Sequence, residues 1–411
     1  MSAAPSSAPS SAPLSPATLQ ALRAQTPGTQ TSVHFNHAGS SLPSSGTVQA
    51  IQAHLHREAT QGPMEAGVAA RALTESARTL AAQLLNAQPD EIALTSGNSA
   101  GWGAAFAALA PWRPGDRILV GRHEWGGNLA TMRFSAERAG AVLETIPSDA
   151  SGCVDADALA AMLDERVRLI TLTWLPANGG LINPAAAIGR VARKAGIPYF
   201  VDAAQALGQL PIDVADIGCD VLSSVGRKAL RGPRGTGLLY VRRGFLDQLT
   251  PAFVDTHSAP LGVDGRPMLR ADAARLEFAE ASMALRCGLA HALQEALELG
   301  VDCIRATVDA TAQKLRAELA AIPGIAVLDQ GREKSGLIAF NLKGWNAPDV
   351  QRALAAGGIT IGSNGVPYTP LDMEARGLSQ IARVSVSPLT HDDEIDRLLD
   401  ALGRLARSTP A

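Results

Sequence analysis

A single lysine lies in the glycine-rich stretch SSVGRKALRGPRGTG, residues 223–237. Upstream of Lys228, the apolar run 197–201 ends abruptly in Asp202. This pattern predicts an aspartate at the carboxyl end of a buried strand and a lysine on a following loop. Pyridoxal phosphate needs such a pair, because its aldehyde binds an amine and its ring nitrogen needs an anion. The two signals together predict a site for pyridoxal phosphate.

The length of the chain indicates two domains. It has 411 residues, of which 46% are hydrophobic, so a large domain plus a smaller one is expected. The first residues are almost entirely Ser, Ala and Pro, a composition that buries too little apolar surface to fold. We predict a disordered leader at 1–17, an N-terminal segment at 18–45 that joins the small domain, a large cofactor-binding domain at 46–296, and a small C-terminal domain at 297–411.

Charge and cysteine content exclude several classes of protein. The formal net charge of −3 gives no broad basic field, so we expect neither nucleic acid nor a membrane as a partner. The cysteines are scattered without the spacing of a metal site, which predicts reduced thiols in a cytoplasmic protein and no bound metal. They are Cys153, Cys219, Cys287 and Cys303.

Apolar runs alternate with helical patterns through the middle of the chain, which is typical of a mostly parallel sheet covered on both faces. The run 236–241 follows Lys228 too closely for a helical crossover, so we predict that this strand is antiparallel. After Leu276 the pattern is helical to about Ile322, and a smaller α+β domain follows. The predicted parallel strands are 117–121, 167–174, 197–201 and 219–223.

Asp202 and Lys228 each have an ordinary alternative. A lone aspartate after a strand is more often a turn or cap residue, and a lysine among arginines is often solvent-exposed. In the functional interpretation, Asp202 binds the protonated ring nitrogen and Gln205 donates to the phenolic oxygen of the ring. The neighbouring arginines then lower the pKa of Lys228 and favour its neutral form, which condenses with an aldehyde.

A phosphate-binding helix start is predicted near residue 98. The run 92–95 ends in a Ser-Gly turn, and an Ala-rich helix follows. Backbone N–H groups of Asn98 and Ser99 would point at an anion, with the Ser99 hydroxyl as a further donor. An ordinary helix cap would give the same pattern.

The order of these signals resembles the class V aminotransferase and cysteine desulfurase group of fold-type-I pyridoxal-phosphate enzymes. The resemblance rests on DAAQ at 202–205 and on K-x-x-x-G-P-x-G-x-G at 228–237, and it extends from Phe35 to the C-terminal helix. The stretch EWGGN at 124–128 is most similar to hercynylcysteine sulfoxide lyases. The resemblance implies an α/β fold with a seven-stranded, mostly parallel sheet and a smaller α+β domain.

Further site residues are implied by this resemblance. Trp125 takes the position of an aromatic ring that stacks on the cofactor, and Asn178 that of an active-site asparagine near cofactor and substrate. Arg383 takes the position of the arginine that binds the substrate α-carboxylate through two bonds, and Ala38 lies in a segment beside the substrate. The resemblance also implies a homodimer with active sites at the subunit interface.

The chain also departs from the family pattern. Cysteine desulfurases carry a nucleophilic cysteine on a loop that corresponds to 362–370, where this chain has none; we therefore predict that it is not a cysteine desulfurase. Arg227 replaces the histidine usual before the lysine, and Val225 stands where a phosphate-binding serine is common. Ser223, Ser224 or Arg227 would have to compensate.

The reaction is the least determined property. Lys228 would remove the Cα proton of an amino-acid substrate, and transamination, loss of a β-substituent or racemisation could follow. We predict an aminotransferase, with a Cβ–S lyase as the close alternative and a racemase or epimerase behind it. A non-catalytic cofactor-binding regulator is disfavoured, because Asp202, Lys228 and Arg383 together form a complete site.

Overall fold

The computed structural model describes residues 11–408. Its helices, in chain order, are α1 (Pro16–Ala24), α2 (Ser45–Gln61), α3 (Pro63–Leu85), α4 (Asn98–Ala108), α5 (Gly126–Ala139), α6 (Ala156–Met162), α7 (Ala185–Ala195), α8 (Val214–Ile217), α9 (Met283–Leu299), α10 (Val301–Ala321), α11 (Ala347–Ala356), α12 (Pro370–Ala375) and α13 (Asp392–Ala406). Its strands are β1 (Val33–His34), β2 (Ile92–Thr95), β3 (Arg117–Gly121), β4 (Val142–Ile146), β5 (Val167–Thr173), β6 (Tyr199–Asp202), β7 (Val221–Val225), β8 (Gly237–Val241), β9 (Ile325–Val327), β10 (Leu337–Leu342), β11 (Ile359–Thr360), β12 (Gly362–Gly365) and β13 (Gln380–Ser385).

The large sheet has seven strands in the order β2-β8-β7-β6-β5-β3-β4. Strands β3 to β7 are parallel to their neighbours within this set, whereas β8 is antiparallel to both β7 and β2. The predicted antiparallel strand is therefore confirmed, because the short loop after β7 leaves no room for a crossover helix. The fourth predicted strand lies two residues later than expected, at β7.

Both faces of the large sheet are buried. Side chains that alternate along its strands enter two separate apolar cores, as Val201 and Phe200 of β6 show. Helix α4 packs on the Phe200 face, where it contacts β7 and β8. Burial on both faces explains why the strands read as continuous apolar runs. It also places the side chain of Asp202 on the same face as α4, because side chains two residues apart share a face.

The small domain is built on the sheet β12-β13-β10-β9, with a core of its own. The helical stretch predicted from 276 to 322 as one unit is two helices, α9 and α10. Gly300 separates them with φ 74°, a left-handed conformation that L side chains rarely adopt. The break falls between the helix that packs on α2 and α3 and the helix that packs on the small sheet.

The N-terminal segment is attached to the small domain. Strand β1 pairs in parallel with β11, and the Ser385 N–H donates to the Phe35 carbonyl over 2.8 Å. Leu14 packs on the small-domain core, and its N–H donates to Thr307 Oγ1 over 2.8 Å. These contacts of Leu14 fall within the predicted leader at 1–17, and residues 1–10 of that leader lie outside the described part. Within residues 11–408, no helix combines the length and apolar character required to cross a bilayer.

Candidate active site

The candidate site lies at the carboxyl edge of β6 and β7. Asp202 is the last residue of β6 and pairs in register with Ser223 of β7. Lys228 follows three residues after β7 ends at Val225. Parallel strands end at a common edge, so the chain brings the aspartate and the lysine to the same side of the sheet, where ligands bind in open α/β folds.

Three donors hold the buried carboxylate of Asp202. Its Oδ2 accepts the side-chain amides of Asn98 (2.7 Å) and Asn128 (2.8 Å), and its Oδ1 accepts the Ala204 N–H (2.9 Å). The side chain is 2% exposed. These bonds fix the direction of the carboxylate, and its contact with the ring nitrogen of the cofactor stays a prediction.

The amine of Lys228 is shifted towards its neutral form. Its pKa is lowered to about 7, chiefly by burial; the charge of Asp202 opposes this shift, and the positive charges of Arg227 and Arg383 add to it. Among the described residues Lys228 has no ion-pair partner. A pKa near neutrality leaves a large share of the amine unprotonated, which is the form that attacks an aldehyde.

Arg383 lies in β13 with a guanidinium that is open to an anion. Its Nη1 donates to the Ala177 carbonyl (2.6 Å) and its Nη2 to Asn36 Oδ1 (3.1 Å). The Nε is buried without a partner in the described structure. Burial lowers the pKa of Arg383 to about 10. A buried guanidinium without a carboxylate partner suits the α-carboxylate of an amino acid.

Several unused groups fit pyridoxal phosphate. Ser223 Oγ and Asn98 Oδ1 are buried and lack hydrogen-bond partners among residues 11–408. Helix α4 begins at Asn98 and Ser99, and space is open where Gly97 carries no side chain. The first N–H groups of such a helix bind phosphate well. The amine of Lys228, the anion of Asp202 and this helix start together match the three groups of the cofactor.

We call the groups that match the cofactor, namely Lys228, Asp202 and the start of α4, the cofactor cradle. Other predicted site residues contact the protein around it. Gln205 Nε2 donates to the Ala38 carbonyl (3.0 Å), and the Ala38 N–H donates to Ser385 Oγ (2.9 Å). Asn178 donates to the Gly365 carbonyl over 3.2 Å. Gln205 and Ala38 thus link the large domain to the N-terminal segment, and Asn178 links it to the small domain. Their predicted contacts with cofactor and substrate stay predictions.

Trp125 and Arg227 lie at the entrance of the cradle. The Trp125 N–H donates to Thr173 Oγ1 (3.0 Å), and its ring meets that of Tyr368 edge to face, with centroids 5.5 Å apart. The Arg227 guanidinium donates to the Gly39 carbonyl. Stacking by Trp125 and phosphate binding by Arg227 or Ser223 remain predictions.

Sequence reasoning assigned no role to Asn128, Asn36 or Tyr368, which the structure brings to this site. Asn128 had a local signal, because it ends the stretch EWGGN at 124–128, one of the stretches on which the family resemblance rests. Asn36 and Tyr368 contact the site through residues far along the chain, and no local pattern marks them.

Comparison with known proteins establishes the family. The pattern of the family described as Aminotransferase class-V matches residues 33–398. The chain belongs to this family. A probable cysteine desulfurase of Xylella fastidiosa is 31% identical over 82% of this chain and 81% of its own. A class V enzyme of this group works with pyridoxal phosphate, so the predicted cofactor and the fold-type-I architecture are both confirmed.

Solved structures agree with this assignment. A complex of the cystine C–S lyase C-DES with its product cysteine persulfide has 26% identity and a TM-score of 0.84, and the match covers 94% of this chain and 100% of that one. The cysteine desulfurase CsdA of Escherichia coli has 25% identity and a TM-score of 0.85, over 95% and 98% of the two chains.

These comparisons correct one prediction. From the absence of a cysteine in residues 362–370 we predicted a transaminase that is not a cysteine desulfurase. That exclusion is wrong, because cysteine desulfurases are among the relatives and the solved structures that the class V enzyme matches. The error came from one loop, whereas the similarity extends over most of the chain.

Proposed function

We propose that this class V enzyme breaks the Cβ–S bond of cysteine or of an amino acid derived from it. The observation that carries the proposal is similarity along nearly the whole chain to proteins named for carbon–sulfur chemistry, among them a cystine C–S lyase. The site geometry supports it, since the amine of Lys228 lies close enough to Asp202 and to Arg383 of the small domain for both charges to act on it.

Each residue of the site has a part in this chemistry. When bound, pyridoxal phosphate supplies an aldehyde for the substrate amine and a ring that accepts electrons from Cα. Arg383 would bind the α-carboxylate and so fix the direction of the Cα–H bond. Lys228, with a large share of its amine unprotonated near pH 7, would take the Cα proton as general base. Asp202 would hold the proton on the ring nitrogen while charge develops at Cα.

Product analysis tests the proposed reaction. The holoenzyme is incubated with L-cysteine, L-cystine and an S-alkylcysteine, and alanine, pyruvate, ammonia and released sulfur are measured. Alanine with sulfur transferred to an added thiol as a persulfide would support one form of Cβ–S cleavage. Pyruvate and ammonia with sulfide from cysteine, cysteine persulfide from cystine or a thiol from the S-alkylcysteine would support the other. Amino transfer to a keto acid with the sulfur left on the substrate would overturn the proposal.

Arg383→Lys should weaken amino-acid binding while cofactor binding is retained. An ammonium is a point charge and cannot make the planar two-bond contact of a guanidinium. We expect affinity for an amino acid to fall by about 1.5–3 kcal/mol, roughly ten- to a hundredfold. Spectroscopic titration of the holoenzyme with an amino acid measures this.

The decarboxylated amine of the same substrate is the internal control for Arg383→Lys, because it lacks the carboxylate. Arg404→Lys, on the exposed side of α13, is the matched control variant. Equal weakening for both ligands would mean that Arg383 is structural and that the carboxylate binds elsewhere.

We also propose that the enzyme is a homodimer that uses the outer face of α2 and α3. On α3, Met64 is 79% exposed and Val68 is 64% exposed, and Leu55 of α2 is half-exposed. Apolar side chains grouped in this way on two packed helices are typical of a protein interface.

The double variant Met64→Glu, Val68→Glu should therefore convert the dimer to monomers, because the two substitutions would bury charge in the interface. Sedimentation should give about twice 42.6 kDa for the parent and the single-chain mass for the double variant. Phe134→Glu on α5, a residue of similar exposure, is the control. A monomeric parent would overturn the proposal.

A further inference from the structure

Glu124 is a buried carboxylate directly beside the cofactor cradle. It is 0% exposed. Its Oε1 accepts the Asn128 amide (3.0 Å), the Thr173 hydroxyl (2.7 Å) and the Trp125 N–H (3.0 Å), and its Oε2 accepts the Thr171 hydroxyl (2.9 Å). All of these donors are neutral, and among residues 11–408 no lysine, arginine or histidine forms an ion pair with it. Its charge is therefore uncompensated.

One amide group connects Glu124 to Asp202. Asn128 Nδ2 lies 3.0 Å from Glu124 Oε1 and 2.8 Å from Asp202 Oδ2, so it donates to both carboxylates. Two acids that share one donor are close enough for each charge to disfavour the other. The cradle thus contains a second carboxylate behind the one that faces the ring nitrogen.

The surroundings of Glu124 place its pKa near neutral pH. Burial and, after it, the charge of Asp202 raise its pKa to about 7, against the opposing effect of the bonds from Asn128, Thr173 and Thr171. The elements packed around it are β5, β6 and α5. The titratable group that faces it from them is Asp202 of β6, whereas Tyr199 of the same strand points to the opposite face of the sheet.

We propose that Glu124 is a positioning residue for the cofactor, and that its charge state, transmitted through Asn128, sets how strongly Asp202 binds the protonated ring nitrogen. This inference concerns the cradle and holds for any reaction of the proposed site. An ionised Glu124 adds negative potential behind Asp202 and so favours a positive ring nitrogen. A protonated Glu124 is neutral and adds no such potential.

Linkage gives this proposal a test on the unmodified enzyme. If ionised Glu124 favours the bound cofactor, then the bound cofactor must equally favour ionised Glu124. Infrared difference spectra of the full chain across about pH 5.5 to 8.5 should show the carbonyl band of a buried carboxylic acid disappear. With cofactor bound, that band should disappear at lower pH than without it. An identical midpoint in both forms would overturn the proposal.

Glu124→Gln provides the second test, because glutamine keeps the shape and removes the titration. At about pH 8.5 the variant should bind pyridoxal phosphate roughly five- to tenfold more weakly than the parent. Near pH 6 the two affinities should be the same within about twofold. Lys228 and the cofactor phosphate titrate in both proteins, so their effects cancel in the ratio of the variant's affinity to the parent's affinity.

The infrared band of the buried carboxylic acid should be absent from Glu124→Gln. Its absence there assigns the band to Glu124. Glu144→Gln, at the far edge of the same sheet where Glu144 pairs with Arg117, is the matched control and should behave as the parent. A constant affinity ratio at both pH values would mean that Glu124 is only structural. If Glu124→Gln does not fold, the infrared midpoints of the parent with and without cofactor decide the question.

Discussion

Lys228→Ala should lose turnover by at least about a thousandfold while the protein stays folded. The substitution removes both the amine that captures the cofactor and the base placed to take the Cα proton. Lys228 is the lysine next to Asp202 at the carboxyl edge of β6 and β7; its amine is buried, although the residue as a whole keeps some contact with solvent. Alanine in its place therefore disturbs the site more than the core.

Borohydride reduction followed by peptide mapping is the direct measurement for Lys228. The parent should carry the reduced cofactor on Lys228 alone, and the variant should carry none. Lys194→Ala, on an exposed position of α7, should be labelled and active like the parent. Label on a different lysine would refute the assignment.

The depressed pKa of Lys228 also predicts a pH dependence. Burial holds this pKa at about 7, and only the neutral amine attacks an aldehyde. The rate of cofactor capture by the cofactor-free protein should therefore rise with pH through about 7 and level off above it. A rise centred near the ordinary lysine value would show that the amine is solvated rather than buried. Stopped-flow absorbance measures the rate.

Asp202→Asn should reduce turnover by a factor of about a hundred or more, roughly 3 kcal/mol of transition-state stabilisation. The amide keeps the shape but removes the charge that holds the ring nitrogen protonated. An amide also replaces one acceptor oxygen by a donor. If this donor faces Asn98 and Asn128, whose amides both donate to Oδ2, the free energy of unfolding should fall by about 1–3 kcal/mol.

Steady-state kinetics and denaturant unfolding separate these two effects of Asp202→Asn. Asp216→Asn, on an exposed position of α8, should change neither rate nor stability. We expect the Asp202 variant to bind cofactor with a lower rate at saturation. An unchanged rate would place the anion for the ring nitrogen on another residue.

One local motif of the class V enzyme did not determine its reaction. The missing cysteine in residues 362–370 led to the exclusion of cysteine desulfurases, which the relatives contradict. A single loop position cannot decide among reactions that share one cradle, since the bond that breaks depends on how the whole site orients the substrate.

The sequence by itself determined the parts of the protein that short stretches of chain encode. Apolar runs bounded by turns specified the buried strands of the large sheet but not its partly exposed edge strand β4. Asp202 at the end of one strand and Lys228 after the next specified the centre of the site. These signals are local, because strand burial, turn chemistry and the common edge of parallel strands follow from neighbouring residues.

Only the tertiary structure decided what surrounds that centre. Asn98 and Asn128 reach Asp202 across 104 and 74 residues of chain, and Arg383 is held by Ala177 across 206. The low pKa of Lys228 and the raised pKa of Glu124 come chiefly from burial. Burial of a side chain depends on segments that pack over it from elsewhere in the sequence, so no local pattern records it.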